Sequence, residues 1–184
     1  MRIVGGIYKG RRFSPPGNFR ARPTTDIAKE SLFNVLSNFI DFEEIKAIDL
    51  FSGTGSISYE LASRGCKNIV LVEKDYYHYK FILKCIEDLK LQQIIKPFKQ
   101  DVFTYIKNPE FSGFDLIFAD PPFDLPNLDE IPDIILKSNM LKKDGILILE
   151  HGNEHDYSNM SNFWQVRHYG KICFTFFKLQ TNHS

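Results

Sequence analysis

From residue 45 onward the chain alternates short apolar runs with segments whose apolar positions recur at helical spacing. The runs 45–51, 68–73, 94–100, 114–119 and 145–151 are rich in Ile, Val, Leu and Phe, are too short for helices and lack polar alternation. Such runs predict strands buried on both faces. The intervening patterns at 56–64, 76–90, 102–107 and 128–138 predict helices. Strict alternation of the two implies a parallel sheet covered on both sides, a doubly wound α/β body. After a polar loop at 152–162, the segments 164–169 and 171–179 turn at Gly170 with no helix between them. They predict an antiparallel hairpin, giving seven strands.

Ahead of this body, residues 2–13 mix β-branched and aromatic residues with glycines and fold back at Lys9-Gly10, which predicts a small basic β-hairpin. Pro15-Pro16-Gly17 ends it. Pro23 then precedes Thr24-Thr25-Asp26, residue types that open helices. Ala28, Leu32, Val35, Leu36, Phe39 and Ile40 follow one helical face, so the helix is expected to run to about residue 40. The division expected is an amino-terminal extension over 1–23 and a main domain over 24–184.

Composition adjusts this picture in a few places. With 184 residues and 43% hydrophobic content, the chain can bury one well-packed core. No apolar run approaches the roughly twenty residues that a bilayer requires, and the start of the chain lacks the apolar stretch of an export signal; the expectation is a cytoplasmic protein and a monomer. Cys66, Cys85 and Cys173 are widely spaced with no C-x-x-C pair, which predicts reduced thiols filling the core. Total charge is zero, but residues 1–30 carry seven basic side chains against two acidic ones, a surplus of five balanced by acid in the rest. A basic arm on an acidic body points to a polyanionic partner.

In a doubly wound sheet, ligands bind at the carboxyl ends of the strands, where strand order reverses. Past the first strand stands Ser52-Gly53-Thr54-Gly55, whose glycines let backbone N–H groups come close to a ligand at a helix N-terminus. Past the second stands Glu73, whose carboxylate suits the two hydroxyls of a ribose. Past the third, Asp101 suits an adenine amino group and Val102 the ring. These residues predict an adenosine pocket. The dinucleotide fingerprint has a third glycine where this chain has Ser58, so a pyrophosphate fits less well.

The fourth strand ends in Ala119-Asp120-Pro121-Pro122-Phe123. Two prolines stiffen the backbone and remove two N–H donors, leaving the Asp120 carboxylate and the Pro121 carbonyl as acceptors beside an aromatic ring. That set suits an exocyclic amine on a flat base. Two hydrogen bonds accepted from the amine localise its lone pair toward an electrophilic methyl, while Phe123 stacks on an unpaired or flipped base.

Taken in order, Asp49-Leu-Phe-Ser-Gly-Thr-Gly, Glu73, Asp101 and Asp120-Pro-Pro-Phe123 resemble the class I S-adenosylmethionine-dependent methyltransferases that act on exocyclic amines. Met1-Arg-Ile-Val-Gly-Gly, Lys9-Gly10-Arg11, Arg22-Pro-Thr-Thr-Asp26 and Glu30-Ser-Leu-Phe-Asn34 narrow the resemblance to the bacterial family that forms N2-methylguanosine at guanine 966 of 16S ribosomal RNA. It spans nearly the whole chain and implies a Rossmann-like seven-stranded sheet. It also implies S-adenosyl-L-methionine as cofactor, held by Asp49, Phe51, Ser52, Gly53, Thr54, Gly55, Glu73, Lys74, Asp101, Val102 and Thr25. Asp120, Pro121, Pro122 and Phe123 become the catalytic guanine pocket, with Arg22–Asp26 closing over it. Arg2, Lys9, Arg11, Arg12, Arg20 and Arg22 become contacts to 16S rRNA in the assembled or assembling small ribosomal subunit. Phe123 stands where this family usually has tyrosine, and Ile27-Ala28-Lys29 where it usually has arginines.

Three other readings compete. An adenine-N6 or other guanine-N2 methyltransferase fits the same acceptor set. An NAD-dependent oxidoreductase is disfavoured by Ser58 and by the absence of a Tyr-x-x-x-Lys pair. A silent RNA-binding scaffold leaves the amine pocket unexplained. His151 and His155 are four apart, but Gly152-Asn153 between them indicates a loop and no third ligand is apparent, so no metal is expected. Trp164, Tyr169 and the phenylalanines of 174–177 read as sheet core, and Tyr76, Tyr77 and Tyr79 as straddling the helix after Glu73, with one of them a candidate to cover the adenine edge.

Overall fold

A computed structural model describes residues 1–16, 25–108 and 110–179. The strands are β1 (Lys46–Leu50), β2 (Asn68–Glu73), β3 (Ile95–Lys99), β4 (Phe114–Ala119), β5 (Leu141–Gly152), β6 (Phe163–Tyr169) and β7 (Ile172–Lys178). They form one sheet in the order β3-β2-β1-β4-β5-β7-β6. β1 to β5 pair in parallel, and β7 runs antiparallel to both β5 and β6. Strand order reverses at β1, which lies between β2 and β4, so a crevice opens above its carboxyl end. Arg20, Arg22 and the rest of 17–24 lie outside the described residues.

The helices are α1 (Asp26–Leu36), α2 (Ser56–Ser63), α3 (Tyr76–Asp88), α4 (Val102–Ile106) and α5 (Ile131–Lys137), with a 3₁₀ turn at Leu128–Glu130 leading into α5. One apolar layer joins α1, α2 and α3 to the sheet through Leu32, Phe33, Leu61, Ile82, Ile86 and Phe174. A second, on the opposite face, joins α4 and α5 through Tyr105, Ile106, Ile131 and Ile135. Cys66, Cys85 and Cys173 are free and buried in the core. Among the described residues no helix is long and apolar enough to cross a membrane.

Three boundaries depart from expectation. The first helix ends at Leu36, because the Ser37 hydroxyl and the Asn38 amide bond back to the carbonyls of Phe33 and Asn34 and the chain turns there. Its buried face therefore holds Lys29 and Phe33, whereas Phe39 is 50% exposed and leans on Trp164. β5 begins at Leu141, four residues early, across a register irregularity opposite Phe114–Leu116. The helix expected over 128–138 starts as the 3₁₀ turn, with Pro132 in the first turn of α5.

The amino-terminal arm folds back as expected, but its ladder is a single antiparallel bridge between Arg2 and Arg12. Ile3 N donates to Arg11 O (3.0 Å) and Phe13 N to Met1 O (3.0 Å). Between these, the backbone turns to α2 for its partners. Val4 N donates to Glu60 Oε2 (2.8 Å), Ile7 N to Ser63 O (2.8 Å) and Tyr8 N to Ser63 Oγ (2.9 Å). Gly6, at φ 71°, approaches so closely that a Cβ would meet Ser63 O at 1.8 Å. Lys29 reaches across from α1, donating to Arg2 O (2.5 Å) and Ser56 Oγ (2.9 Å). Burial pulls its ammonium below the ordinary lysine range, against the Glu60 and Asp26 carboxylates.

Glu60 is fully buried and takes both Val4 N and the Arg64 guanidinium (2.9 Å), so removing it leaves a cation and an amide without their acceptor. Glu60→Ala is expected to lower stability by about 3–5 kcal/mol in urea unfolding and to make residues 1–16 sensitive to limited proteolysis. A loss below about 1 kcal/mol would show that the arm is held by its apolar contacts alone.

Candidate active site

Because side chains alternate along a strand, the face taken by Ala47, Leu71, Phe118 and Ile148 also receives Asp49, Glu73, Asp120 and Glu150. Four carboxyls thus stand at or just beyond the ends of β2, β1, β4 and β5, on the face covered by α1 to α3.

Asp49 is buried in the central strand, and its Oδ2 accepts the Ser58 N–H (3.2 Å) and hydroxyl (2.8 Å). Burial pushes its carboxyl up to about 7 in spite of the Ser58 hydrogen bonds, with a further push from Glu73. Ser58, which broke the dinucleotide pattern, thereby joins β1 to α2. Between them lies the turn 51–55. Phe51 is held at φ 59°, an unusual conformation for a bulky side chain, while Gly53 and Gly55 take φ 54° and 78°. Ser52 fixes the turn: its N–H donates to Val72 O (3.1 Å), its Oγ accepts Val72 N–H (3.1 Å), and its hydroxyl faces Asp49 O (2.7 Å). A Cβ on Gly55 would lie 2.6 Å from the Tyr59 hydroxyl, so this position takes only glycine. Thr54 is buried, with Oγ1 3.2 Å from Met1 Sδ, which brings the start of the arm to the turn.

Glu73 reaches this turn from β2. Its Oε2 accepts Gly53 N–H (2.8 Å) and its Oε1 accepts Asp75 N–H (2.7 Å). Two backbone bonds fix the carboxylate's orientation, and a second lone pair on each oxygen remains suited to the hydroxyl pair of a ribose. Lys74 beside it is exposed. Asp101 caps α4 through Oδ1, accepting from Phe103 N (3.0 Å) and Thr104 N (3.2 Å), and Val102 is buried under the helix. Thr25 caps α1 by accepting Ala28 N–H (3.2 Å). The acceptor set thus fits adenosine, with Glu73 and Asp101 oriented by backbone donors.

Asp120 follows β4 and donates its N–H to Leu50 O (3.3 Å). Burial, then the Glu150 carboxylate, then that of Asp49, push its carboxyl well above the usual range. Pro121 is buried, Pro122 is exposed, and Phe123 is 44% exposed, an aromatic ring at the mouth of the site. Glu150 is the member that sequence reasoning missed. It is buried at 3%, one position past Leu149, which pairs with Ala119. A carboxylate closing an apolar strand, Ile146-Leu-Ile-Leu-Glu150, was the available signal.

Of the basic candidates, Lys9, Arg11 and Arg12 are exposed on the arm, and Arg2 pairs with Asp26 at 3.0 Å. His151 lies in β5, with Nε2 2.7 Å from Thr175 Oγ1 and Nδ1 2.7 Å from Gly152 O; His155 meets Asp129 at 2.8 Å.

The chain is similar to known proteins in sequence and in fold. A family model described as "Conserved hypothetical protein 95" matches residues 1–178. The Bacillus subtilis protein named "Putative rRNA methyltransferase YlbH" is 30% identical over 156 residues, covering 84% of each chain. "Ribosomal RNA small subunit methyltransferase D" of Haemophilus influenzae is 30% identical over 152 residues, 82% of this chain and 78% of the relative. The solved structure of "Putative methyltransferase yhhF from Escherichia coli" superposes with a TM-score of 0.85 at 22% identity, covering 98% of both chains, and shares the fold.

The raised Asp49 carboxyl has a consequence for stability. The folded chain holds that proton up to about pH 7, whereas an unfolded aspartate, at 3.8, releases it earlier. The native state therefore loses stability relative to an Asp49→Asn variant as pH rises from about 4 to 7, by at most about 4 kcal/mol, and the two curves run parallel above that. Urea unfolding of both proteins across pH 4–8 reads this directly; a difference independent of pH would place Asp49 in a solvated setting.

Proposed function

The chain belongs to the Conserved hypothetical protein 95 family, class I methyltransferases related to ribosomal RNA small subunit methyltransferase D, and on that footing we propose that it methylates the exocyclic N2 of guanine 966 in 16S rRNA. The observation that carries this reading is Asp120, an inward-facing carboxyl followed by a buried proline and an exposed aromatic ring at the strand-order switch. Its acceptors match an amine on a flat base, and the neighbouring Glu73 and glycine turn match adenosine.

S-adenosyl-L-methionine supplies a methyl group already activated by its sulfonium. What the chain contributes is position. Gly53 and Gly55 keep side chains off the turn, Asp49 and Ser58 hold that turn against α2, and Glu73 takes the ribose hydroxyls. Asp120 and the Pro121 carbonyl accept from the guanine amine and orient its lone pair, while Phe123 stacks on the ring. Asp120 accepts in both directions only when ionised, and its elevated pKa makes that form scarce at low pH. The proton left on the methylated amine then has Asp120 as its nearest acceptor, with Glu150 behind it. The substrate of this reading is the assembled or assembling small ribosomal subunit.

The test is methyl transfer from labelled S-adenosylmethionine to unmodified small subunits, followed by nuclease digestion and mass spectrometry. N2-methylguanosine at one site is the expected product. Methyladenosine would retain the chemistry and reject the substrate, and absence of label in RNA would reject both. Asp120→Ala is expected to lower turnover by about 10²-fold or more with cofactor affinity changed by only a few-fold; equal loss of both would remove Asp120 from the amine pocket.

The pH profile gives a separate test. kcat/KM is expected to rise with pH to a plateau as Asp120 loses its proton. Glu150→Gln removes one of the charges that raise that pKa, so its rising limb moves to lower pH. An unchanged limb in this variant would uncouple Glu150 from Asp120.

A further inference from the structure

A cleft of about 530 Å³ opens between the arm and α3, lined by Arg12, Phe13, Tyr77, Lys80, Phe81 and Lys84 among others. None of these residues belongs to the carboxylate row of the candidate active site. Its volume lies within the ~300–1,000 Å³ of sites that enclose a small ligand, enough for one nucleotide.

The chemistry of the lining is specific. Arg12, Lys80 and Lys84 are exposed cations from two elements far apart in sequence, and Asp88, at the carboxyl end of α3, is the single carboxylate among the described lining residues. Lys80 and Lys84 are one helical turn apart, where like charges repel. Two tyrosines open the same helix: Tyr76 is 49% exposed and Tyr77 66% exposed, with their rings edge to face at 5.6 Å. Lys80 and Lys99 hold their ammonium groups 4.9 and 5.8 Å from the Tyr76 ring. Cations interleaved with exposed aromatic rings are the footprint of single-stranded nucleic acid, in which phosphates meet the cations and bases stack on the rings. The rest of the chain beyond residue 30 is acidic on balance, so the positive cleft is a local feature and not a reflection of composition.

Position supports the same partner. α3 begins three residues after the end of β2, and Asp120 follows β4; β2 and β4 flank β1, so the two strand ends lie two strand spacings apart, about 10 Å. A strand that presents a base to Asp120 comes within a few nucleotides of Tyr77.

We infer that this cleft holds single-stranded RNA flanking the target base, with Arg12, Lys80 and Lys84 on its phosphates and Tyr77 under one of its bases. The inference rests on the ribosomal-RNA reading above and names a second contact region for that substrate. Recognition of this kind tolerates sequence, so the cleft contributes affinity and placement while the pocket at Asp120 selects the amine.

The experiment uses the full chain, a fluorescent single-stranded RNA of about twelve nucleotides read by anisotropy over a salt series, and unmodified small subunits as methyl acceptor. Lys80→Glu/Lys84→Glu is expected to weaken oligonucleotide binding at least about tenfold and to flatten the log K against log salt slope by about 1.4, two phosphate contacts at about 0.7 each. Tyr77→Ala is expected to weaken binding about five- to tenfold with the slope unchanged. Both variants alter exposed side chains, and S-adenosylmethionine affinity by calorimetry, expected within twofold of the parent, checks that they fold. KM for small subunits should rise in parallel with the loss of RNA affinity.

RNA affinity and slope unchanged in both variants, with the parent chain methylating subunits normally, would overturn the cleft and leave the proposed activity standing. Cofactor affinity lost in step with RNA affinity would also overturn it, by moving these residues into the cofactor site. A parent chain that transfers no methyl to subunits rejects the activity, and oligonucleotide binding alone then decides the cleft.

Discussion

Asp49 has its carboxyl inside the protein, between the central strand and α2, and Ser58 supplies both of the donors that Oδ2 takes. A buried carboxyl left without donors costs several kcal/mol, so the chain closes the turn 51–55 in the one shape that brings Ser58 back to it. That shape demands a left-handed Phe51, glycines at 53 and 55, and Ser52 bonded to Val72. The N–H of Gly53 then meets Glu73, which fixes the second carboxylate. When ionised, the same carboxyl adds to the burial and to Glu150, which raise the Asp120 pKa. One hydrogen-bonded pair thus sets the turn, the orientation of Glu73 and part of the electrostatics around Asp120.

The arm depends on a similar trade. Glu60 and Lys29 are buried at 0% and 1%, and each spends its charge on backbone: Glu60 on Val4 N–H, Lys29 on Arg2 O. Polar groups of an irregular segment are satisfied in this way by α1 and α2, since a single bridge cannot satisfy them by pairing. Fixing the arm brings Met1 to Thr54 and Arg12 and Phe13 to α3, so the anchor on α2 determines what stands beside the turn 51–55 and what lines the basic cleft. Lys29 shows that a cation in a basic segment need not face a polyanion: it is structural, whereas Lys9, Arg11 and Arg12 are exposed.

Much of the site was legible because its residues follow strand ends. Gly53, Gly55, Glu73, Asp101 and Asp120 each lie at or just past the end of a predicted strand, and the structure brings them to one edge of the sheet. Glu150 falls inside the predicted strand 145–151, and nothing local says that its neighbour across the sheet is Asp120. Ser58 was read as a missing glycine, because its value lies in a carboxylate nine residues away on a different element. Phe39 was placed on the buried face because helical spacing continues past Leu36, whereas Ser37 and Asn38 bond back and end the helix.

The sequence by itself determined the number and kind of the main elements and the parallel body with its antiparallel close, because periodicity and turn chemistry act between near neighbours. Tertiary structure alone decided which charges are buried and which are free. Lys29 and Arg2, Glu60 and Val4, Asp120 and Glu150 are separated by many residues, and burial and electrostatic coupling depend on distance in space. The pKa values, the anchoring of the arm and the cleft beside α3 therefore exist only once the strands are in register and the helices are packed on them.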